Sequence, residues 1–527
     1  MRNPFRSLGL LLSCCALGFA LPVHADTSFL PPRIDKAMQT NKIPNSDLSL
    51  VMLPLDGPGE NDYYNADVSV NPASTMKLIT TYAALELLGP TYQWKTEFYT
   101  DGTVHNGILN GNLYLKGGGD PKLNMERLWL LMRDLRANGV LEVTGDLVLD
   151  RGRFVKPELP AFNDDGEDEN KTFLVGPDSL LVNLKSVRMV VRSADGRVSV
   201  SMDPPLTNVN IDNQMRATGK SGCPAWPDVR FNPVPQADGS TSLVVSGQLP
   251  DGCNAQSYLS LLDHPAYAAG AVRAIWQELG GTIKGRTREG SVPRNAELLA
   301  RAFSPDLVEI IRDINKYSNN TMAQQLFLSI GAQFRTSADA DDGKAALRVI
   351  RQWLARKGIN ASHLIMENGS GLSRTERVSA REMAEILRAA WQSPYAPEFI
   401  SSLPLAGMDG TLRKRMKNSP LTGQAHMKTG TLNNVRALAG FVRDANVRSW
   451  VVVAILNSNR PWGASSILDE VVMDLLSAQS PGRLGQLSRK NKTGVCSHRL
   501  RFCLHHSARQ AVELKLLLCT AMGKNFV

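Results

Sequence analysis

The sequence predicts an α+β fold: an antiparallel sheet covered by helices and interrupted by a long, largely β insertion. A strand-like run, Leu48 to Leu55, lies far from three later ones, His426 to Leu432, Arg436 to Val442 and Trp450 to Leu456, with helical periodicity in between. Between Ser74 and Ser318 lie 243 residues whose interior is broken into short strands and turns, which reads as an insertion. A 527-residue chain with 43% hydrophobic content can also bury more than one core, so two or three domains are expected.

Taken in order, Met1 to Ala25 reads as a secretory signal. Arg2 and Arg6 precede an apolar run, Leu8 to Leu21, and Val23-His24-Ala25 suits cleavage before Asp26. Leu11-Leu12-Ser13-Cys14 also resembles a lipoprotein signal, and a retained anchor is a third reading. Apolar sequence continues past Cys14, however, and the run is short for a span. After the first strand, Pro72 precedes a helix carrying Leu78, Thr81, Tyr82, Leu85 and Leu88, which Gly89-Pro90 stops. Ser74 therefore lies in its first turn.

The insertion then offers strands at Gly111 to Leu115, Gly145 to Leu149, Met189 to Arg192, Val198 to Met202 and Ser242 to Val245. It also holds the turn Gly117-Gly118-Gly119-Asp120-Pro121 and an acidic surface segment, Asn163 to Glu169. Helical pattern resumes over Ala266 to Leu279. Ser304-Pro305, read as a cap and first position, opens a helix through Leu307, Ile310, Ile311 and Ile314. Ser318-Asn319-Asn320 falls at a break before the next helix, Thr321 to Ile330, which Gly331 is expected to end. An amphipathic helix near Ile467 to Leu476 closes the body.

Composition changes abruptly at Pro481-Gly482. The tail beyond holds nine Lys/Arg against one acid, Glu513, a local +8 of the chain's formal +9, and the signal adds +2. The body is thus near −1, which argues against a nucleic-acid or other polyanionic partner. Cys496 and Cys503 with their neighbouring histidines match no zinc spacing. In the body only Cys223 and Cys253 remain. In an oxidising compartment they are expected to pair; two buried free thiols are the alternative.

Three strings carry the chemistry: Ser74-Thr75-Met76-Lys77, Ser318-Asn319-Asn320 and Lys428-Thr429-Gly430. Each alone has a bland reading as a cap, a turn or part of a strand. Together, in this order, they describe an acyl-transfer site built without histidine. An i, i+3 pair shares a helix face, so Lys77 lies beside the Ser74 hydroxyl, and the helix N-terminus favours negative charge there. For Lys77 to act as a base near neutrality its pKa must fall by roughly 3 units from ~10.4, about 4 kcal/mol of differential interaction. Burial and a second cation, Lys428, can supply that.

With these strings, Tyr114 to Pro121, Asn368-Gly369-Ser370-Gly371-Leu372-Ser373-Arg374 and the cysteine pair, the chain resembles the class C low-molecular-mass penicillin-binding proteins over Asp26 to Gln479. These are D-alanyl-D-alanine carboxypeptidase/endopeptidases of peptidoglycan metabolism. The resemblance implies a β-lactamase/transpeptidase-like domain, residues 26–96 and 280–479. It is interrupted by an inserted domain, 97–170 and 235–279, with a third nested at 171–234; residues 1–25 and 480–527 are signal and tail. Ser74 would be the acylated nucleophile, Lys77 its proton acceptor, Ser318 a proton relay to the departing amine and Asn320 an orienting group. Lys428 and Thr429 would hold the substrate carboxylate, Gly430 would let substrate lie against the strand, and the amides of Ser74 and Thr431 would form the oxyanion hole. Asp150, Phe154 and Arg374 would form the pocket for the peptide's diamino-acid side chain.

The resemblance also implies peptidoglycan peptides as partners, β-lactams as covalent inhibitors, a Gram-negative periplasmic setting, and neither cofactor nor metal. Peripheral membrane association and oligomeric state stay open. A serine β-lactamase is the nearest rival, but no Glu-containing loop for fast deacylation is evident. A non-catalytic peptidoglycan-binding scaffold is the other; the three complete strings argue against it. A Ser-His-Asp hydrolase lacks its Gly-x-Ser-x-Gly elbow.

Overall fold

Period-two alternation along the long strands decides which helices cover each side of the main sheet. Val51 and Leu53, Ala437, Ala439 and Phe441, and Val451, Val453 and Ile455 face one core. Their neighbours Leu50 and Met52, Leu438 and Val442, and Val452, Ala454 and Leu456 face another. Because both faces are buried, the strand Ser449–Asn457 is apolar nearly throughout. This computed structural model describes residues 29–477 except 58, 60, 161, 163–170, 220, 221, 461 and 462. The signal, the acidic Asn163 to Glu169 segment and the 480–527 tail lie outside the described residues.

The main sheet has five antiparallel strands in the order Ala425–Leu432, Val435–Arg443, Ser449–Asn457, Leu48–Pro54, Asp62–Tyr64. Pro32–Thr40 and Ala464–Ser477 cover one face. The other carries Met76–Leu88, Leu307–Tyr317, Asn320–Phe334, Asp342–Arg356 and Ala380–Trp391. The edge strand places Lys428-Thr429-Gly430 on the sheet's rim. Residues 404–406 pair with its start, Met427 donating to the Pro404 carbonyl at 2.9 Å and Ala406 to the Ala425 carbonyl at 2.9 Å.

Two helix boundaries differ from the sequence expectation. The cap before Leu307 is Asp306, whose side chain accepts from Glu309 N at 3.1 Å, while Ser304 Oγ accepts from Trp94 N at 3.0 Å. The helix after Asn319 runs on to Phe334, straight through Gly331. A Cβ on Gly331 would lie 1.9 Å from the Asp342 carbonyl oxygen, so glycine is there for close helix packing, not for a stop.

The inserted sheets also redraw the expected boundaries. Lys95–Thr100 pairs with Leu113–Gly117 on one side and with Glu297–Phe303 on the other, so the insertion's return strand lies beyond residue 280. Two three-stranded sheets, centred on Val187–Ala194 and Thr241–Pro250, together span Val187 to Leu259, past the expected limit of 234. Pairing across long sequence gaps sets these ends, and no local signal marks them.

Cys223 and Cys253 are bonded across a separation of 30 residues, tying the ends of these small sheets. A loop of that length corresponds to about 3 to 4 kcal/mol in the chain-entropy model. Replacing both cysteines with serine should therefore raise amide exchange in Val209–Thr218 and Thr241–Pro250 while leaving exchange in the main-sheet strands Val435–Arg443 and Ser449–Asn457 unchanged. Hydrogen exchange with and without reductant measures it.

Candidate active site

Ser74 sits in a 3-10 turn, Ala73–Thr75, that feeds directly into the helix Met76–Leu88. Ala73 has φ +46°, a left-handed conformation costing on the order of 1 kcal/mol for a non-glycine residue. The surroundings hold it there: Ala73 N donates to Asn71 Oδ1 at 2.9 Å, and Asn71 Nδ2 to the Ser373 carbonyl at 2.9 Å. Asn457 embraces Asn71 from the sheet, accepting from its N at 2.9 Å and donating to its carbonyl at 3.0 Å. The turn that presents Ser74 is thereby fixed to both the sheet and the loop 368–374.

Ser318 also has a left-handed conformation, φ +57°, as the C-cap of Leu307–Tyr317. Asn319 immediately caps the next helix, accepting from Met322 N at 2.9 Å, and Asn320 is that helix's first residue. Two helices thus meet at one peptide, which turns Ser318 and Asn320 into the same cleft. Gly430 lets the edge strand approach closely, since a Cβ there would lie 2.7 Å from the Pro72 carbonyl oxygen.

These elements converge on two lysines with no solvent exposure. Lys77 Nζ lies 3.0 Å from Ser74 Oγ and 2.7 Å from Asn320 Oδ1, and bonds the Ser370 carbonyl. A neutral amine has two N–H groups and one lone pair. With the N–H groups given to the two carbonyl oxygens, the lone pair faces the Ser74 hydroxyl. Burial first, then repulsion from Lys428, pushes Lys77 well below the usual lysine range, with Glu376 opposing. Lys428 donates to Ser318 Oγ at 2.8 Å and to the Thr429 carbonyl at 2.7 Å, which leaves an ammonium one N–H for a ligand. Burial alone holds Lys428 down to about 7. The two buried amines repel each other's charge, so protonation of one opposes protonation of the other.

The inserted region reaches the site through a strap laid along the Asn320 helix. Asn320 Nδ2 donates to the Phe173 carbonyl at 3.3 Å, which turns its Oδ1 toward Lys77. Thr321 Oγ1 donates to the Val175 carbonyl at 2.8 Å. Gln325, fully buried, accepts from Asp178 N at 2.7 Å and donates to the Gly119 carbonyl at 3.0 Å.

Beside the cleft lies a cavity of about 760 Å³, lined by Phe162, Leu174, Gln324, Asn368, Leu372 and Arg374 among others. Arg374 stands over the Phe162 ring at 5.7 Å and donates to Asn434 Oδ1 at 2.9 Å. Asp150 and Phe154, expected to share this pocket, are not on its wall. Asp150 is 6% exposed and both its oxygens are engaged, one by Gly152 N at 3.0 Å and the other by Val292 N at 2.9 Å. Phe154 packs its ring on Gly119, and its N donates to Ser179 Oγ at 2.9 Å. Both hold the insertion together. Thr429 Oγ1 bonds Thr411 Oγ1 at 2.8 Å on the open side of the cleft, where Thr431 is exposed.

The sequence reading missed Asn71, Ser370 and Glu376. Ser370 acts through its carbonyl, which residue identity does not reveal. For Glu376 the signal was the Gly369-Ser370-Gly371 run just upstream, a stretch of inward-turning amides in need of an acceptor.

Comparison with known proteins identifies the family of the chain. Residues 30–475 match the model of the D-Ala-D-Ala carboxypeptidase 3 (S13) family. A D-alanyl-D-alanine carboxypeptidase of Actinomadura sp. is 33% identical over 392 residues, 70% of each chain. D-alanyl-D-alanine carboxypeptidase DacB of Haemophilus influenzae is 26% identical, over 75% of this chain and 82% of its own. The crystal structure of penicillin-binding protein 4 (dacB) from Haemophilus influenzae superimposes with a TM-score of 0.70 at 22% identity, covering 84% of this chain and 99% of that one. The chain therefore belongs to the D-Ala-D-Ala carboxypeptidase 3 (S13) family of penicillin-binding proteins and is a serine-type D-alanyl-D-alanine carboxypeptidase.

Proposed function

We propose that Ser74 and Lys77 are the nucleophile and general base of this carboxypeptidase. The observation that carries the assignment is a fully buried amine 3.0 Å from a serine hydroxyl, with two carbonyl oxygens, Asn320 Oδ1 and Ser370 O, as its other hydrogen-bond acceptors. Lys77 takes the Ser74 proton as Oγ bonds the penultimate D-alanyl carbonyl carbon. The amides of Ser74 and Thr431 receive the oxyanion; loss of one such donor commonly costs about 10² to 10³ in rate. As the C–N bond breaks, the proton held by Lys77 is relayed through the Ser318 hydroxyl to the departing D-alanine amine, which leaves Ser318 protonated and Lys77 neutral again, and Asn320 keeps Lys77 aligned. Water then repeats the sequence on the acyl-enzyme. A cross-bridge in place of terminal D-alanine makes the same steps endopeptidase action.

Lys428 with Thr429 receives the substrate's terminal carboxylate, and that anion favours the charged form of Lys428 again. The rim residues Gly430 and Thr431 lie alongside the peptide. Arg374 and its cavity take the stem peptide's side chain, a role to which Asp150 and Phe154 contribute only by shaping the insertion. β-Lactams, which present a strained amide beside a carboxylate, acylate the same serine. The signal-like N-terminus and the Cys223–Cys253 bond support export to an oxidising compartment, which in a Gram-negative cell is the periplasm. No helix among the described residues is long and apolar enough to cross a membrane.

The test is incubation with a fluorescent penicillin, peptide mapping of the adduct, and measurement of D-alanine released from a peptide ending in D-Ala-D-Ala. An adduct within the Ser74 peptide together with D-alanine release is expected. An unlabelled protein that releases no D-alanine would sink the reading.

A further inference from the structure

The Glu376 carboxylate has no solvent exposure and accepts four backbone N–H groups. Oε1 takes those of Glu367 at 3.0 Å, Asn368 at 3.0 Å and Gly369 at 2.8 Å; Oε2 takes that of Gly371 at 2.8 Å. Gly369 and Gly371 have φ of +71° and +79°, which lets successive amides turn inward around an anion. Ser370 N is excluded from this ring and donates to Asn368 Oδ1 at 2.9 Å instead. The carbonyls of Gly369 and Ser370 consequently point the other way, onto one face of the nucleophile's helix. Gly369 O accepts from Thr80 Oγ1 at 2.6 Å, and Ser370 O accepts from Lys77 Nζ.

We infer that Glu376 is a positioning residue of the reaction: by folding residues 367–371 around its carboxylate it fixes the Ser370 carbonyl, which directs the Lys77 lone pair at Ser74. This rests on the assignment of Lys77 as base. If the Ser370 carbonyl moved, Lys77 would have a spare N–H and could rotate it toward the serine, where a donor is useless for proton abstraction. The carboxylate has an electrostatic consequence as well. The charged groups facing Lys77 are Lys428 from the edge strand and Glu376 from this loop. With Lys77 neutral and Lys428 protonated, an ionised Glu376 leaves the buried cluster without net charge. Burial pushes the Glu376 carboxyl up, and the four amides oppose it.

The experiment is the pH dependence of acylation by a fluorescent penicillin in wild type, Glu376→Gln and Glu376→Asp, with folding followed by circular dichroism. Glutamine removes the charge and turns one acceptor into a donor aimed at an N–H. Acylation should fall roughly 10- to 100-fold, the range expected for misplacement of a reacting group. Its acid limb should also move to lower pH, because the anion favouring protonated Lys77 is gone. Glu376→Asp keeps the charge on a shorter stem, so its rate should fall several-fold with the acid limb unmoved. Wild-type rates in a folded Glu376→Gln, or a lower rate with an unshifted limb, would overturn the inference. If Glu376→Gln does not fold, a wild-type rate in Glu376→Asp would do so alone. Failure of wild type itself to acylate would instead refute the assignment of Ser74 and Lys77.

Discussion

Ser74→Ala should leave no covalent β-lactam adduct and no measurable D-alanine release, while the fold persists. The expectation is strict because the site contains a second hydroxyl beside a second lysine. Ser318 Oγ lies 2.8 Å from Lys428 Nζ, much as Ser74 Oγ lies 3.0 Å from Lys77. What separates the two pairs is where the protons sit. Burial and Lys428 push Lys77 well below the usual lysine range and burial holds Lys428 down to about 7, but the substrate carboxylate proposed to sit at Lys428 would favour the charged form of that lysine alone. A charged Lys428 donates to Ser318 and cannot take its proton. Ser74 also lies in the short helical turn Ala73–Thr75 that leads into Met76–Leu88, where N-terminal amides favour an oxyanion. Intact-protein mass spectrometry of Ser74→Ala after β-lactam exposure decides the point. An adduct that survives the substitution would transfer the nucleophile's role, with Ser318 the first place to look.

Gly371→Ala should reduce acylation by at least about 100-fold, although residue 371 is remote in sequence from every reacting group. Its added Cβ would lie 1.9 Å from the Ala73 carbonyl oxygen and 2.7 Å from Ser74 N, at a φ of +79°. Those atoms belong to the backbone of the nucleophile's turn and cannot swing aside as a side chain would. Relief must come from moving either the turn or the loop that carries Ser370. Both displacements disturb Lys77 and the Ser74 amide together. Gly358→Ala supplies the control, since its φ is +73° but nothing lies within 4 Å of the new Cβ. It should cost about 1 kcal/mol in stability and leave acylation at the wild-type rate. Measuring acylation rates and thermal midpoints for the two variants separates backbone strain from loss of the site; equal rates in both would refute the argument.

The legible parts of this molecule were those written locally. Lys77 follows Ser74 by one helical turn, and the spacing alone put the amine beside the hydroxyl. The runs around Val435–Arg443 and Ser449–Asn457 announced buried strands because both faces of the sheet are covered. Gly331 misled, since a glycine demanded by a neighbouring helix looks the same in sequence as one that ends a helix. Asp150 misled for a related reason: its carboxylate serves two backbone amides, and an acid after a strand carries no mark of what it accepts from. The return of Glu297–Phe303 to Lys95–Thr100, and the grip of Asn457 on Asn71, join segments hundreds of residues apart. Such partners become visible only once the chain has closed on itself.

The strap along the Asn320 helix also limits how this enzyme can be taken apart. The main sheet and its helices look like a self-sufficient unit into which a foreign module was spliced, and a protein engineer would be tempted to cut that module out. Yet the carbonyl that takes the nitrogen end of the Asn320 amide, while Lys77 takes the oxygen, is supplied by Phe173, on the far side of the splice. The shortened product would keep Ser74 and Lys77 but lose the acceptor for the Asn320 amide nitrogen, leaving Lys77 alone to orient that side chain. What looks like an accessory in the order of the chain is, at the level of single atoms, a component the original unit no longer does without.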